Sequence, residues 1–183
     1  MNLLRRPQGA AAVMVLAIVI SSSVSAVASI NKQAAAVRDE FYKGQYGDNM
    51  SIYEDLVDKT EDAVSLVALA TKGPYVDASD QHIKAIIEDT NTIKADGTAS
   101  ALYAASASLD ENVTWLMTAL EAKVAANATD AKMLTKYSAL YKSEIQTIAS
   151  DPYNSLVKAF KDETGGFPGS LFGRLATDVT YFK

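Results

Sequence analysis

Apolar residues recur at spacings of three and four over most of the chain, with short polar breaks between the patterned stretches. This spacing predicts amphipathic helices that each bury one face. Four stretches show it clearly: Ser51–Thr71, Ala78–Ala95, Ala99–Ala126 and Asp130–Ala149. The alternation typical of strands is hard to find, so the pattern predicts an all-α protein.

Polar residues before these stretches predict where the helices begin. Ser51 with Glu54 three residues on is the pattern of a capping box. The candidate N-caps of the second and fourth stretches are Asp77 or Ser79, and Thr129 or Asp130. The apolar stripes predicted for these two stretches are Ile83, Ile86, Ile87, Thr90 and Ile93, and Leu134, Tyr137, Tyr141, Ile145 and Ile148.

Two further helices flank the four. Asn31–Tyr42 is predicted to be helical, and the pair Asp151-Pro152 favours a new helix with Asp151 as its N-cap. The glycine-rich segment from Gly165 to Gly169 marks a firm break. Because helices with one apolar stripe bury it against each other, short connections predict an antiparallel helical bundle.

The N-terminal segment resembles a membrane signal. Arg5 and Arg6 precede an uncharged run from Gly9 to Ile30, and a run of about 20 apolar residues is the length of a membrane-spanning helix. Arginines on the short side favour keeping that end in the cytoplasm, although Lys32 on the other side weakens the asymmetry. We therefore expect residues 1–30 to be a signal-anchor or signal peptide and residues 31–183 to be an extracytoplasmic helical bundle.

Two interpretations of this segment stay open. Small residues at Val24-Ser25-Ala26 and Ala26-Val27-Ala28 could be cleavage sites of a secretory signal peptide. Alternatively the segment is kept as an anchor, and the small residues complete the span. Lipoprotein anchoring is excluded because the chain has no Cys to carry the lipid.

Composition narrows the chemistry. The absence of Cys and the single His, His82, exclude thiol nucleophiles, disulfides, iron–sulfur clusters and sites with two histidines. Residues 31–183 carry 15 basic and 22 acidic residues, a net charge of −7, which disfavours nucleic acid as a partner.

No residue pattern indicates a catalytic, cofactor or metal site. His82 has Ser79 rather than Glu three residues before it, so the metal-binding E-x-x-H pattern of helical bundles is missing. Adjacent carboxylates diverge by about 100° on a helix and do not converge on one substrate. The pairs in question are Glu61-Asp62, Glu88-Asp89 and Asp110-Glu111, and Asp77 with Asp80 is a weak calcium candidate.

The C-terminal third resembles the closing signature of the LemA family. The resemblance lies in Tyr153-Asn154, Val157, Phe160, Phe167-Pro168 and the aromatic pair Tyr181-Phe182. Lys161 stands where the family usually has Asn, and Asp151-Pro152 stands where it often has Arg, so the chain is similar to a divergent member. The resemblance implies a membrane-anchored, all-helical bacterial protein outside the cytoplasm with no established catalytic residues.

Two hypotheses follow from these patterns. The first is a non-enzymatic, membrane-tethered helical bundle that acts as an interaction or scaffolding module of the bacterial cell envelope, held by its N-terminal helix and binding an unknown protein partner. The second is a secreted helical module that binds a partner after signal cleavage. In either case we expect the aromatics Phe167, Phe172, Tyr181 and Phe182 to cover an open end of the core.

Overall fold

A computed structural model describes residues 7–44, 51–166, 169–170 and 178–183, without the side chains of residues 7–13, 16 and 17. These residues form helices and no strand, which confirms the predicted all-α class. The six helices are α1 (Pro7–Lys43), α2 (Ile52–Lys72), α3 (Gln81–Lys94), α4 (Ala99–Val124), α5 (Ala128–Ser150) and α6 (Tyr153–Gly165).

Helix α1 joins two predicted elements, the apolar run Gly9–Ile30 and the helix Asn31–Tyr42, in one continuous helix. It ends before Gly44, which has a φ of 53°. Among the residues that the structure describes, no helix contains a stretch long and apolar enough to cross a membrane. The predicted run Gly9–Ile30 includes side chains that lie outside this description.

The contacts divide the chain into two compact units. The first consists of residues 1–38 and 155–179, and the second of residues 39–154 and 180–183. In the first unit, Gln33 of α1 donates a hydrogen bond to Glu163 of α6 at 3.2 Å. Val157 and Phe160 of α6 are buried. The domain boundary predicted at residue 30 stays a prediction.

The second unit is built on α2–α5, and two pairs of contacts give the directions of α2 and α4. Lys59 of α2 contacts Ser106 in the first half of α4. Lys123, at the end of α4, donates to the backbone oxygen of Tyr75, which follows α2. Helices α2 and α4 therefore run in the same direction.

Helices α3 and α5 run the opposite way. Tyr75, beyond the end of α2, donates to Asp130 at the start of α5 at 2.5 Å. On α3, His82 contacts Asn112 of α4, whereas the later Asp89 contacts the earlier Ser108. The four helices thus form an up-down-up-down bundle, the arrangement that short connections favour.

Capping residues account for four of the helix starts, and Thr98 is the cap of α4. The Ser51 hydroxyl accepts from the Glu54 amide at 3.1 Å and the Glu54 carboxylate accepts from the Ser51 amide, so the predicted capping box is confirmed. The caps predicted for α3 and α5 were wrong: α3 is capped by Asp80 and α5 by Asn127. Several neighbouring polar residues satisfy the same local pattern, and the cap is the one whose backbone turns into the helix.

The buried stripes are narrower than predicted. Ile83, Ile86, Thr90 and Ile93 of α3 are buried, but Ile87 is 46% exposed because it lies about 100° around the helix from Ile86. In α5 only Leu134 and Tyr141 are buried. Tyr137, Ile145 and Ile148 are half-buried, contrary to the prediction.

Aromatic side chains fill one end of the second unit. The ring of Phe41 lies 5.1 Å from Tyr153 and 5.7 Å from Phe182, and Tyr103 meets Phe182 edge-on at 5.2 Å. The Asn154 side chain accepts from the Phe182 amide and donates to its carbonyl oxygen. Phe182 therefore covers the core as predicted. Phe167 and Phe172 lie outside the described residues.

Candidate functional site: a buried lysine between three helices

The most unusual side chain of the bundle is Lys59, which is 1% exposed. On α2 the buried positions Leu56, Lys59, Ala63 and Leu66 follow each other at spacings of three and four. Lys59 therefore occupies a core position in the apolar stripe. A lysine is almost never fully buried unless its charge is paired, so its partners decide its role.

The Lys59 ammonium connects α2 to α4 and α5. It forms an ion pair with Asp110 at 2.7 Å and donates to the Ser106 hydroxyl at 2.8 Å. Asp110 also accepts a hydrogen bond from the Tyr141 hydroxyl at 2.8 Å. The ammonium lies 5.5 Å from the centre of the Tyr141 ring, within reach of a cation–π interaction.

Burial dominates the electrostatics of this network. It lowers the pKa of Lys59, against the hydrogen bond and charge of Asp110, which raise it. Burial followed by the charge and hydrogen bond of Asp110 raises the pKa of Tyr141 far above its usual range. Tyr141 is therefore a neutral phenol at neutral pH and donates its hydroxyl proton to Asp110.

Asp89 brings α3 into the same electrostatic environment. Burial raises the pKa of Asp89, while a hydrogen bond from Ser108 lowers it and the charge of Glu88 raises it again. Its Oδ2 atom is buried and makes no hydrogen bond to the residues that the structure describes. The charge of Asp89 also contributes to the raised pKa of Tyr141.

The geometry favours a structural role for Lys59. Lysines with a lowered pKa do serve as general bases and Schiff-base nucleophiles, but that chemistry needs an amine that a substrate can reach. This ammonium is enclosed and held by Asp110 and Ser106. An arrangement of this kind can fix how three helices are aligned, because sliding one helix would leave a buried charge without its partner.

His82 contacts two side chains of α4, Asn112 and Trp115. Its Nδ1 is 2.8 Å from Asn112 Oδ1, and its ring stacks on Trp115 at 4.0 Å. Asn112 donates through Nδ2 to the Ser108 backbone oxygen, which leaves Oδ1 to accept from Nδ1 of His82. The ring is thus oriented by an amide and an indole.

The weak calcium candidate consists of two carboxylates that each accept a hydrogen bond from a backbone amide. Asp77 accepts from the Ser79 amide at 2.7 Å, and this hydrogen bond lowers the pKa of Asp77. Asp80 accepts from the His82 amide as the cap of α3. Both carboxylates are thus engaged by their own turns. In the part of the chain that the structure describes, no group of three or more His, Asp or Glu residues could hold a metal ion.

The sequence contained a signal for Lys59. The apolar residues Leu56 and Ala63 lie seven positions apart in the sequence of α2, and a core position is expected between them at the spacing of three and four. Position 59 fills that gap. A charged residue at a core position indicates a buried ion pair, but its partners on α4 and α5 come from distant parts of the chain.

Comparison with known proteins assigns neither a family nor a function to the chain. No known protein family, curated protein or solved structure matches the chain. The resemblance of the C-terminal third to the LemA family therefore stays a prediction.

Proposed function

We propose that the protein is a membrane-tethered, non-enzymatic helical bundle that acts as an interaction or scaffolding module of the bacterial cell envelope. The observation that carries the proposal is the exposed apolar surface of α1. Six large apolar side chains between residues 14 and 24 are 54–66% exposed: Met14, Val15, Ile18, Val19, Ile20 and Val24.

These side chains point in many directions around the helix. At about 100° per residue, Ile18, Val19 and Ile20 alone extend over more than half of the circumference. A helix that is apolar on all sides is typical of a protein core or a lipid environment, not of water. Lipid is the surrounding that fits an apolar surface of this width.

The serines of the same segment support a lipid environment. Ser21 donates to the Ile18 backbone oxygen at 3.1 Å, and Ser23 donates to the Val19 backbone oxygen at 2.7 Å. Each hydroxyl proton is thus satisfied within the helix. A polar group that is bonded in this way costs less in hydrocarbon than one left without a partner.

The charge distribution sets the proposed orientation. Arg5 and Arg6 precede the apolar segment, and positive charge near a spanning helix favours the cytoplasmic side. The acidic remainder, with a net charge of −7, would then lie outside the cytoplasm. A soluble acidic domain is repelled by anionic lipid headgroups, so α1 would be the attachment to the membrane.

The non-enzymatic part of the proposal rests on the site described above. Lys59 and Tyr141, whose pKa values are shifted mainly by burial, are enclosed in the bundle and bound to each other through Asp110. They support the packing of helices and offer no reactive atom to a substrate.

Membrane fractionation tests the proposal. The intact chain should stay in the membrane pellet after washing with high salt or alkaline carbonate. Replacing Ile18 and Val19 by Lys should release much of it, since a charge at the centre of a span costs roughly 2.5–3.5 kcal/mol. Val64→Lys on α2, where Val64 is 44% exposed, is the matched control and should stay in the pellet.

The mass of the mature chain separates the two hypotheses. An intact N-terminus in the pellet fraction supports the tether. Release of the uncleaved chain by carbonate would contradict it. A mature start near Val27 or Ser29 would instead favour the secreted module.

A further inference from the structure

Helix α5 is poorly covered compared with the other bundle helices. Of its 23 residues only Leu134 and Tyr141 are buried, whereas α4 buries ten of 26. Met133 and Leu140 are 43% and 41% exposed. Among the residues that the structure describes, none covers this apolar side of α5 in the way that the core covers the other helices.

The uncovered side of α5 faces a groove shared with α2. The groove has a volume of about 440 Å³, and its apolar lining includes Ala68 and Leu69 of α2 and Met133 and Tyr137 of α5. Leu140 lies three residues after Tyr137 and so continues the same face of α5. The apolar surface therefore extends along two antiparallel helices, and a surface of this kind is what a third helix needs in order to pack against both.

Carboxylates gather at one end of this surface. Asp58 and Asp62 lie four residues apart on α2, two turns and one turn, respectively, before Ser65 in the groove lining. Burial, then the charges of Asp58 and Glu61, raise the pKa of Asp62, and Lys136 lowers it. Burial, then Asp58 and Asp62, raise the pKa of Glu144 on α5. Lys136 offsets part of the repulsion at Asp62, whereas the charges acting on Glu144 are the two carboxylates Asp58 and Asp62, so a further cation would relieve the repulsion.

The geometry points to the α2–α5 face, defined by Ala68, Leu69, Met133, Tyr137 and Leu140 with Asp58, Asp62 and Glu144 at its end, as the docking site for a basic amphipathic helix of a partner protein. The inference rests on the proposed interaction role and names the chemistry of the partner. Apolar side chains at spacings of three and four would fill the groove, and Lys or Arg on the flank would meet the carboxylates.

A designed helical peptide provides the probe. It has 18 residues, with Leu at spacings of three and four and Lys at the flanking positions, and its matched control carries Glu at every Lys position. The full-length chain is placed in nanodiscs of zwitterionic lipid, and binding to empty discs is subtracted. If the chain does not enter the discs, the soluble chain is assayed directly, so failure of the tether leaves this test intact.

The expected result is saturable binding of the Lys peptide that weakens with salt, and no binding of the Glu peptide. Combining Asp58→Asn, Asp62→Asn and Glu144→Gln should weaken binding about tenfold, since each exposed charge pair contributes roughly a factor of two. The control combines Glu88→Gln, Glu111→Gln and Glu121→Gln on exposed positions of α3 and α4, and should change affinity less than twofold.

Three outcomes would overturn the inference. The first is no saturable binding of the Lys peptide at millimolar concentration. The second is equal binding of the Glu peptide, or equal weakening by the control combination. The third is a dimer of the chain that dissociates in Met133→Glu, which would assign the face to a second copy.

Discussion

Removing Asp110 should destabilise the bundle far more than removing Lys59, although the two side chains form one ion pair. Asp110→Ala leaves the Lys59 ammonium, 1% exposed, with Ser106 as its remaining hydrogen-bond acceptor among the contacts described. Lys59→Met removes the buried charge itself and leaves Asp110, whose side chain is 36% exposed, with access to water and to the Tyr141 hydroxyl.

The magnitude has an upper limit. If the buried lysine has to lose its proton at pH 7, the free-energy cost is about 1.4 kcal/mol for each pH unit below its usual pKa of about 10.4. The total is roughly 4.6 kcal/mol. Breaking a buried pair usually costs roughly 3–5 kcal/mol. Because Asp110 is partly exposed, we expect about 3 kcal/mol for Asp110→Ala. Met resembles the lysine stem in shape, so Lys59→Met should change stability by about 1 kcal/mol or less in either direction.

The pH dependence has a defined sign. Burial lowers the pKa of Lys59 in the folded chain. Between that pKa and the usual value of about 10.4, the unfolded chain binds more protons than the folded chain, so stability rises with pH. Asp110→Ala removes the charge that raises this pKa, so the pKa of Lys59 should fall further and the rise in stability should begin at a lower pH and be larger in total. Lys59→Met should remove the contribution of Lys59 to the pH dependence of stability altogether.

Urea unfolding of the full chain in a fixed concentration of mild detergent provides the assay. The single Trp, Trp115, reports unfolding by its fluorescence. The control is Lys43→Met, which removes an exposed pair with Asp39 at 3.1 Å and should cost less than about 0.5 kcal/mol. A cost below about 1 kcal/mol for Asp110→Ala, or an equal cost for Lys59→Met, would refute the reasoning.

Three further predictions use the same unfolding assay. Leu109→Ala should cost about 2–5 kcal/mol because Leu109 is fully buried, and a cost like that of the exposed control Val64→Ala would contradict the core assignment. Ser51→Ala should cost about 1 kcal/mol by removing the capping box of α2, and no loss would mean that the box is not formed. Asp62→Asn should stabilise the chain by about 0.2–0.5 kcal/mol at pH 7, since burial and the charge of Asp58, four residues away, raise the pKa of Asp62. That gain should vanish below about pH 3.9, where the carboxyl is protonated in both states; a gain independent of pH would exclude the charge as its cause.

Local patterns predicted the parts of the fold that depend on one helical turn. Ser51 and Glu54 lie within a single turn, so their capping box could be read directly from the residues. The caps of α3 and α5 could not be chosen in this way. Asn127 accepts from the amides of both Thr129 and Asp130, and only the backbone conformation at 127 distinguishes it from its polar neighbours.

Periodicity located the helices but not the width of each buried stripe. Ile87 and Tyr137 both fit an apolar face, yet Ile87 is exposed and Tyr137 is half-buried. The edge of a stripe depends on which neighbours pack against it, and this is a tertiary property. For the same reason the α2–α5 face could not be predicted, because a sequence does not show which apolar residues lack a packing partner.

The candidate site was only partly readable. The core spacing of α2 places a lysine at position 59, but its pairing with Asp110 and Tyr141 depends on how α4 and α5 are aligned with α2. Adjacent carboxylates diverge on a helix, which correctly separates Asp110 from Glu111. This divergence does not indicate that the Asp110 side chain contacts the buried ammonium of Lys59.

Cysteine labelling tests the central claim, that α1 lies in lipid while the acidic bundle faces out of the cytoplasm. The chain has no Cys, so each single-cysteine variant gives one signal. In intact cells, Ser143→Cys on the exposed side of α5 should react with a membrane-impermeant maleimide, and Ile18→Cys should react only after detergent is added. Labelling of Ile18→Cys without detergent at the rate of Ser143→Cys, or protection of Ser143→Cys until the cells are lysed, would contradict the account.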